Sequence, residues 1–376
     1  MEIFKFRELK NCNNEKELES IGFDSSYRLR ATEKMDNRLI KIYSLTPAQA
    51  NILKQTALSI GADCMTHREV ITGKEELSNV IITCSTSELK KISNKLKHQP
   101  FKLKNLGEEL IKYTENKKNN TATKLVGILN ITPDSFSDGG MYYEPQNAIK
   151  QLLQLIDDGA DIIDIGAEST KPFSKEVPAN IQIERLLPVL DFINKEQITT
   201  PISIDTRSAE VAQVALSRGC SIINDVSGLT HDPQMAEIIA KYDATVIIQH
   251  TNTTPDTMQI NPTYSDLMEE IYLYLEDKIR FAKAKGINSI IIDPGIGFGK
   301  TKEHNLTIID RFEELNTLGY PIMLGTSRKS FLGIPTDDNN LKDTMTLAIN
   351  SRLIKKGIDY LRVHNVKLHK TFLNNI

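Results

Sequence analysis

Hydrophobic and polar positions alternate regularly from about residue 125 to the end of the chain. Short apolar runs, such as residues 202–204 and 290–292, each end on a polar or charged side chain. Between them lie longer segments with apolar residues at every third or fourth position. The short runs are typical of strands buried in a parallel sheet, and the longer segments are typical of amphipathic helices. Eight strands are predicted, which end at or beside Asn130, Asp164, Asp205, Asn224, Gln249, Asp293, Gly325 and Arg362.

Strands and helices that alternate eight times over about 250 residues match a (β/α)8 (TIM) barrel in both count and length. An open, doubly wound sheet is the competing interpretation. Such a sheet would usually carry a G-x-G-x-x-G turn after its first strand, and the loop after residue 130 has no such pattern. The sequence therefore predicts an α/β fold in which residues 123–376 form a barrel.

Residues 1–122 precede the barrel and have patterns of their own. The segment Thr46-Pro47-Ala48-Gln49 matches a helix capping box with proline at the first helical position. Residues 80–82 are an apolar run typical of a strand, and the apolar positions 89, 92 and 96 mark one face of a helix. The polar residues 115–121 are typical of a linker. We predict a small α/β N-terminal domain, to which the sequence assigns no function.

The composition is that of an ordinary soluble enzyme. The chain has 376 residues, of which 40% are hydrophobic and 25% charged, enough for a large core and more than one domain. No apolar run reaches the length of a transmembrane helix, and the first residues lack the apolar core of a signal peptide. The 4 cysteines show no C-x-x-C spacing, so neither a zinc site nor a disulfide framework is indicated. We expect a cytoplasmic protein without a membrane or nucleic-acid partner.

Three strand ends offer hydrogen-bond acceptors to a common ligand. Asp205, Asn224 and Asp293 end the third, fourth and sixth predicted strands. Each of them alone could equally cap a loop or a helix. The carboxyl ends of barrel strands, however, converge on one mouth. Two carboxylates and an amide at that mouth suit a flat heterocycle with amino and ring N–H groups, and the pattern favours a ligand site over three separate caps.

A second group of strand ends is suited to an anion. Ser327-Arg328-Lys329-Ser330 follows the seventh strand, and Arg362 and His364 lie at the eighth, where barrels commonly bind phosphate. Thr170-Lys171 after the second strand adds a hydroxyl and a cation. A surface ion pair is the alternative role for Arg328, and a lone histidine is more often structural than catalytic. The proximity of Arg362 favours a functional histidine here.

The loops after the first and sixth strands have further ligand-binding features. Asn130 offers an oxygen suited to Mg²⁺, a cation that takes few protein ligands and several from substrate phosphates and water; a loop-capping amide is an equal alternative. Residues 293–300, D-P-G-I-G-F-G-K, form a glycine-rich turn that lets the backbone approach a ligand while Phe298 projects a ring. The turn lacks the G-x-x-x-x-G-K-[ST] spacing of a nucleotide-binding loop.

These segments together resemble the dihydropteroate synthase family, the folate-pathway enzymes that sulfonamides inhibit. The resemblance runs from about residue 125 to about residue 370 and implies a (β/α)8 barrel. Such an enzyme condenses (7,8-dihydropterin-6-yl)methyl diphosphate with 4-aminobenzoate, releases diphosphate, uses Mg²⁺ and is commonly a homodimer. The motifs that carry the resemblance occur in the family's order: G-I-L-N-I-T-P-D-S-F-S-D-G-G, D-I-G-A-E-S-T-K-P, S-I-D-T, I-N-D-V, D-P-G-I-G-F-G-K, G-T-S-R-K-S and R-V-H-N.

The resemblance also implies roles for individual positions. The pterin would be held by Asp205, Asn224, Asp293 and Lys329, with Arg362 stacked on its ring. The diphosphate would be held by Asn130, Thr170, Arg362 and His364, with Mg²⁺ at Asn130. The aminobenzoate pocket would be shaped by Phe136, Pro172, Phe298, Lys329 and Ser330, partly from the loops after the first and second strands. Lys171 and Gly325 complete the substrate-binding set, and the catalytic residues would be Asp205, Lys329, Arg362 and His364.

Three positions depart from the family's pattern. Lys171-Pro172-Phe173 stands where the family usually has Arg-Pro-Gly, Gln249 stands where it usually has methionine, and Asn365 replaces an aspartate. Lysine keeps the charge of arginine but loses its bidentate fork, so contacts with diphosphate or with sulfonamides would differ. Sensitivity to sulfonamides therefore does not follow from the resemblance.

Three other functions compete with the synthase. A pterin-binding methyltransferase would share the barrel and the Asp–Asn–Asp set but would not need the anion-binding residues. An inactive barrel that serves as a scaffold would gain nothing from charges clustered at its strand ends. Residues 1–122 could be a second enzyme, such as the pyrophosphokinase that makes the pterin substrate, but they show no nucleotide-binding motif.

Overall fold

The chain folds into two units, residues 1–118 and residues 119–376. The computed structural model describes residues 7, 13–115, 122–132, 145–168, 176–251, 262–333 and 338–376. A small α/β unit therefore precedes a barrel, and the predicted fold class is confirmed. Within the described part of the chain, no helix is both long enough and apolar enough to span a membrane.

The N-terminal unit is built on a three-stranded antiparallel sheet with the order β1-β3-β2. The predicted capping box is present, because the Thr46 side chain accepts from the backbone N–H of Gln49 and Gln49 caps Thr46 in return. The predicted apolar helix face, which includes Leu89, is fully buried against the sheet. The elements are α1 (Asn14–Ser20), α2 (Arg28–Met35), β1 (Asn37–Leu45), α3 (Pro47–Leu58), β2 (Asp63–Met65), β3 (Ser78–Ser85), α4 (Thr86–Leu96) and α5 (Leu103–Glu115).

The second unit is an eight-stranded parallel barrel with the strand order β10-β11-β4-β5-β6-β7-β8-β9. A parallel bridge between Ile292 on β9 and Ile322 beside β10 joins the two ends of this order and closes the barrel. The strands are β4 (Lys124–Asn130), β5 (Ile162–Gly166), β6 (Ile202–Asp205), β7 (Ile222–Asp225), β8 (Thr245–Gln249), β9 (Ile290–Asp293), β10 (Met323–Leu324) and β11 (Tyr360–Val363).

A helix follows each strand, and the apolar faces of the helices pack against the outward side chains of the strands. The side chain of Asp266 caps the start of the helix Leu267–Ala284, and the chain turns after this helix at Gly286, with φ 88°. The helices are α6 (Pro145–Asp157), α7 (Ala179–Lys195), α8 (Ala209–Ser217), α9 (Met235–Lys241), α10 (Leu267–Ala284), α11 (Lys302–Arg311), α12 (Asn339–Lys355) and α13 (Val366–Leu373).

The barrel interior is apolar at one level and polar at the next. One apolar layer is formed by Val126, Ile162, Ile222, Ile247, Ile291 and Met323, which pack against one another. Side chains alternate along a strand, so residues two positions further on also point inward. For β7, β8 and β9 those residues are Asn224, Gln249 and Asp293, at the carboxyl ends of the strands. The fold therefore points the polar strand-end residues into the barrel mouth.

Candidate active site

Strand register brings the predicted site residues to one level of the barrel. Asn130 pairs with Gly166, Gly166 pairs with Asp205, and Asp205 pairs with Asn224. Gly166 has both neighbours within van der Waals range: a Cβ there would lie 3.5 Å from Asn130 Oδ1 and 3.7 Å from the Cβ of Asp205. The predicted magnesium ligand and the predicted pterin carboxylate therefore flank Gly166 at the mouth.

Arg362 on β11 joins two carboxylates inside the barrel. Its Nε donates to Asp164 Oδ2 at 2.6 Å, and its Nη2 donates to Asp205 Oδ2 at 2.9 Å. Asp164 also accepts from Ser203 Oγ at 2.6 Å and from Asn224 Nδ2 at 3.1 Å. One buried carboxylate thus fixes the orientation of both Arg362 and Asn224.

Two oxygens of this network have no hydrogen-bond partner among the described residues. They are Asp205 Oδ1 and Asn224 Oδ1, and both lie on buried side chains. A buried acceptor without a donor is unfavourable, because the group gives up its hydrogen bonds to water. The mouth is therefore suited to a ligand that brings N–H groups to these two atoms.

The acidic groups at the mouth have raised pKa values. Burial raises the pKa of Asp205 to about 7, against the lowering effect of Arg362 and with a further rise caused by Asp164. Burial also raises the pKa of Asp293, although Lys329 opposes it. Asp293 Oδ1 accepts from the backbone N–H of Gly295 at 2.7 Å, which holds the glycine-rich turn against the strand end. The site favours binding partners that donate protons or hydrogen bonds to these carboxyls.

Lys329 extends from the loop after β10 towards the glycine-rich turn. Its Nζ lies 4.6 Å from the centre of the Phe298 ring and donates to the Ile296 carbonyl oxygen. Burial lowers the pKa of Lys329 to about 8, while the charge of Asp293 opposes the change. Gly325 adjoins the lysine, and a Cβ there would lie at an ordinary contact distance of 3.9 Å from Lys329 Nζ. Gly297 is the glycine that allows the approach, since a Cβ there would lie 2.9 Å from Lys329 Cδ. The lysine therefore lies close both to Asp293, a predicted pterin ligand, and to the ring predicted to line the aminobenzoate pocket.

His364 and Arg328 have different surroundings. His364 Nδ1 lies 2.9 Å from Ser327 Oγ, which fixes the orientation of the imidazole beside β11. Arg328 instead forms a bidentate pair with the buried Asp343, at 2.7 and 2.8 Å. Asn365 donates to the same carboxylate at 3.2 Å and caps α13. The asparagine that replaces the family's usual aspartate therefore has a structural role. The structure therefore supports an ion-pair role for Arg328 and not the role in anion binding.

A buried Lys–His pair lies behind the glycine-rich turn. Lys300 Nζ lies 3.0 Å from His250 Nδ1 and donates to the Phe298 carbonyl at 2.9 Å. Burial lowers the pKa of Lys300 to about 7, and burial and the lysine charge together hold the pKa of His250 well below its usual value. Gly295 has φ 73°, and a Cβ there would lie only 2.0 Å from the His250 carbonyl oxygen. The pair therefore fixes the turn that carries Phe298.

The structure brings most predicted site residues together, and others lie outside its described part. Two residues important to the network were missed by the sequence reasoning: Asp164, which appeared only as the end of a strand, and Lys300. The inward parity of β5 was the signal that could have identified Asp164. Ser330 is exposed at the start of a short 3-10 turn. Outside the described residues lie Phe136, Thr170, Lys171, Pro172 and Phe173.

Comparison with known protein families agrees with this geometry. A family model described as "Pterin binding enzyme" matches residues 126–364, which span the barrel from β4 to the residue after β11. The matched range contains Asn130, Asp205, Asn224 and Asp293, together with the basic residues at the mouth. The chain therefore belongs to the class of pterin-binding enzymes.

Individual relatives narrow the class. A dihydropteroate synthase from Synechocystis is 41% identical over 249 residues, which are 65% of this chain and 86% of the relative. A Helicobacter pylori protein, named a bifunctional dihydropteroate synthase/dihydropteroate reductase, is 33% identical over 94% of this chain and 93% of its own. The solved dihydropteroate synthase of Clostridium difficile, crystallised with pteroic acid, is 40% identical, with a TM-score of 0.63 over 69% of this chain and 97% of that one. The chain belongs to the dihydropteroate synthase family.

Proposed function

We propose that this chain condenses (7,8-dihydropterin-6-yl)methyl diphosphate with 4-aminobenzoate to give 7,8-dihydropteroate and diphosphate. The observation that carries the proposal is the pair of buried, unpartnered acceptors Asp205 Oδ1 and Asn224 Oδ1, beside the cations Arg362 and Lys329. The acceptors suit the amino and ring N–H groups of a pterin, and the cations suit the charge that a departing diphosphate develops. Pteroic acid, present with the Clostridium difficile relative, joins the same two organic parts.

The reaction needs positioning and electrostatics and no covalent nucleophile. The C–O bond to diphosphate breaks, and its electron pair leaves with the diphosphate. The amine nitrogen of 4-aminobenzoate then forms the new C–N bond at the methylene carbon and releases a proton to solvent. In this scheme Asp205 and Asp293 hold the pterin, while Arg362 and His364 hold the leaving group.

Magnesium fits the residues at the mouth. Asn130 Oδ1 is a hard oxygen donor at a partly exposed strand end, beside Gly166. Mg²⁺ characteristically takes one or two protein ligands and completes its shell with phosphate oxygens and water. We propose that Asn130 holds Mg²⁺ with the diphosphate, and that the bound ion would neutralise the leaving charge. In the described ranges, no cluster of three or more His, Cys, Asp or Glu side chains is placed to hold a metal.

Diphosphate release tests the proposal directly. The full chain would be mixed with the pterin diphosphate and Mg²⁺, with and without 4-aminobenzoate. We expect release that depends on 4-aminobenzoate and an equal amount of dihydropteroate. Pterin binding without product would contradict the synthase and would favour the methyltransferase or the scaffold. A methyltransferase would instead bind a methylated tetrahydrofolate, whereas a scaffold would turn over neither substrate.

A second activity is a further candidate, namely reduction of dihydropteroate. The observation in its favour is that the Helicobacter pylori relative, whose name includes dihydropteroate reductase, aligns over 94% of this chain, whereas the Synechocystis synthase aligns over 65%. Reduction requires two electrons and two protons, which a reduced nicotinamide or flavin together with water would supply. Oxidation of NADPH that depends on dihydropteroate, followed with and without added flavin, would support this activity. Unchanged NADPH in both assays would exclude it.

The remaining expectations concern assembly, location and inhibition. We propose that the chain forms a homodimer, because its family is commonly dimeric. We propose a cytoplasmic location, because the reaction uses soluble substrates. We also propose inhibition by sulfonamides, because these compounds resemble 4-aminobenzoate. Light scattering of the purified chain would give its mass, and cell fractionation would give its location. Competition between a sulfonamide and 4-aminobenzoate would test the third expectation, and a purely noncompetitive pattern would contradict it.

A further inference from the structure

Gln249 has a buried amide that the pterin contacts assigned so far do not use. It ends strand β8, and its backbone pairs with Asp293 on β9. Ile247, two residues earlier, belongs to the inward-facing apolar layer, so strand alternation points Gln249 into the barrel at the level of Asp293. The side chain is only 4% exposed. Gln249 therefore belongs to the wall of the mouth.

The amide nitrogen of Gln249 lacks a hydrogen-bond partner among the described residues. Five buried side-chain atoms of the described chain share this property, and three of them are on inward strand ends of the barrel: Asp205 Oδ1, Asn224 Oδ1 and Gln249 Nε2. A single orphaned group could be incidental. Three on the third, fourth and fifth strands, around one mouth, indicate a common ligand that completes all three.

The three atoms differ in hydrogen-bonding character. The oxygens of Asp205 and Asn224 accept, whereas the amide nitrogen of Gln249 donates. A pterin ring presents both kinds of partner, since it has amino and ring N–H donors together with a ring carbonyl and ring nitrogens that accept. Methionine, which the resemblance implies as the usual residue at this position, offers no donor. A chain with methionine here would therefore lack this hydrogen bond.

We propose that Gln249 is a specificity-determining residue whose amide N–H donates to an acceptor on the pterin ring. The proposal rests on the proposed function, because it takes the ligand of the mouth to be a pterin. Gln249 would then donate to the acceptor atoms of the ring in addition to Lys329. It also predicts that this chain discriminates more strongly than a methionine-bearing variant against heterocycles that lack the acceptor.

Binding of 6-hydroxymethyl-7,8-dihydropterin to the full chain, measured by calorimetry, tests the proposal. Gln249→Met keeps the volume and removes the donor, and we expect it to raise Kd about tenfold, the effect of one lost hydrogen bond in a buried site. Gln249→Glu places a carboxylate beside Asp293 and should raise Kd by a larger factor. The KM for 4-aminobenzoate should stay unchanged in Gln249→Met. Equal pterin affinity in Gln249→Met and in the unmodified chain would overturn the proposal.

Ligand analogues separate a binding role from a structural one. Two analogues would be used, one without the ring carbonyl oxygen and one with C–H in place of ring nitrogen N5. The unmodified chain should lose affinity for at least one of them, and Gln249→Met should lose less for that same analogue. Equal losses in both proteins for both analogues, or a less stable ligand-free Gln249→Met, would assign Gln249 a structural role. If the unmodified chain binds no pterin at all, the proposed function fails as well.

Discussion

Asp164 and Arg362 form a buried ion pair inside the barrel, with 2.6 Å between Oδ2 and Nε, although 198 positions separate them in the sequence. The same carboxylate holds Ser203 and Asn224. Both carboxylate oxygens of Asp164 accept from side chains of the protein, so Asp164 is a positioning residue. Its effect on the reaction passes through the orientation of Arg362, which also reaches Asp205.

Asp164→Asn should lower kcat/KM for the pterin diphosphate by about 100-fold. The substitution releases Arg362 from one of its two carboxylates, and a displacement of a positioned group by about 1 Å can lower the rate by about 100-fold. Ser203→Ala is the matched control, because it removes a hydrogen bond that a neutral hydroxyl donates to Asp164 and leaves the ion pair intact; its loss should stay below about tenfold. Steady-state kinetics of both variants would check the difference. Equal losses in the two variants would contradict the role given to the ion pair.

Asp205→Asn should abolish measurable pterin binding and yet stabilise the ligand-free fold at high pH. Burial raises the pKa of Asp205 to about 7 from an ordinary 3.8, so the folded state disfavours the ionised form. Below the ordinary pKa both states are protonated and no penalty exists. The penalty grows as the pH rises to 7 and is complete above it. Urea unfolding should therefore show a larger gain for Asp205→Asn at pH 8 than at pH 5, and an equal gain at both would contradict the raised pKa.

Pterin affinity should fall as the pH drops below 7. The ionised form of Asp205 can accept an N–H group of the ligand on Oδ1 while Oδ2 accepts from Arg362, whereas the protonated form loses one acceptor. Because the pKa of Asp205 is raised to about 7, each unit of pH below that value should weaken binding by up to about tenfold. Titrations of the chain with 6-hydroxymethyl-7,8-dihydropterin from about pH 5.5 to about pH 8 would measure how Kd changes with pH. A flat profile would show that Asp205 stays ionised throughout.

Arg328 and Lys329 are neighbours with opposite roles. Arg328→Ala leaves the buried Asp343 without its bidentate partner and should lower the free energy of unfolding by about 2 kcal/mol, a value reduced because the arginine is partly exposed. Its KM for the pterin diphosphate should change little. Lys329→Ala should remove most activity at nearly unchanged stability, because Lys329 contacts the glycine-rich turn and the mouth. Unfolding curves and steady-state kinetics of both variants would test these roles. Lost activity in Arg328→Ala together with lost stability in Lys329→Ala would contradict them.

The sequence predicts the barrel because the pattern that specifies it is local. Each apolar run marks one strand without reference to the others, and each strand ends where a polar side chain follows. The sequence alone therefore places Asn224 and Asp293 at the mouth. The assignment of Asp164 depends instead on Arg362, whose position is set by closure of the whole barrel.

Neighbouring basic residues show a second limit of sequence reasoning. Arg328 adopts φ 58°, a left-handed conformation that sequence does not reveal, and its side chain pairs with Asp343 of α12. Lys329, one residue later, reaches the mouth instead. Both residues are basic and follow the same strand, so only the backbone conformation distinguishes the structural arginine from the lysine at the site.

Lys300→Met should stabilise the fold at neutral pH and weaken the use of 4-aminobenzoate. Burial lowers the pKa of Lys300 to about 7 from 10.5, so the folded state disfavours the charged form. That penalty is complete below pH 7, shrinks as the pH rises and disappears above 10.5, which is the opposite direction to Asp205. The free energy of unfolding gained by Lys300→Met should therefore be larger at about pH 6.5 than at about pH 9.5. A gain that grows with pH would contradict the lowered pKa.

The functional effect of Lys300→Met follows from its contact with the Phe298 carbonyl, 2.9 Å away. Without that hydrogen bond the Phe298 carbonyl loses its lysine donor, while the glycine-rich turn keeps its contacts through Gly295 and Gly297. We expect the KM for 4-aminobenzoate to rise by about fivefold, the effect of one lost hydrogen bond, while the Kd for the pterin stays unchanged because Asp205 and Asn224 are untouched. A rise in the pterin Kd with no change in KM would place Lys300 in the pterin site instead.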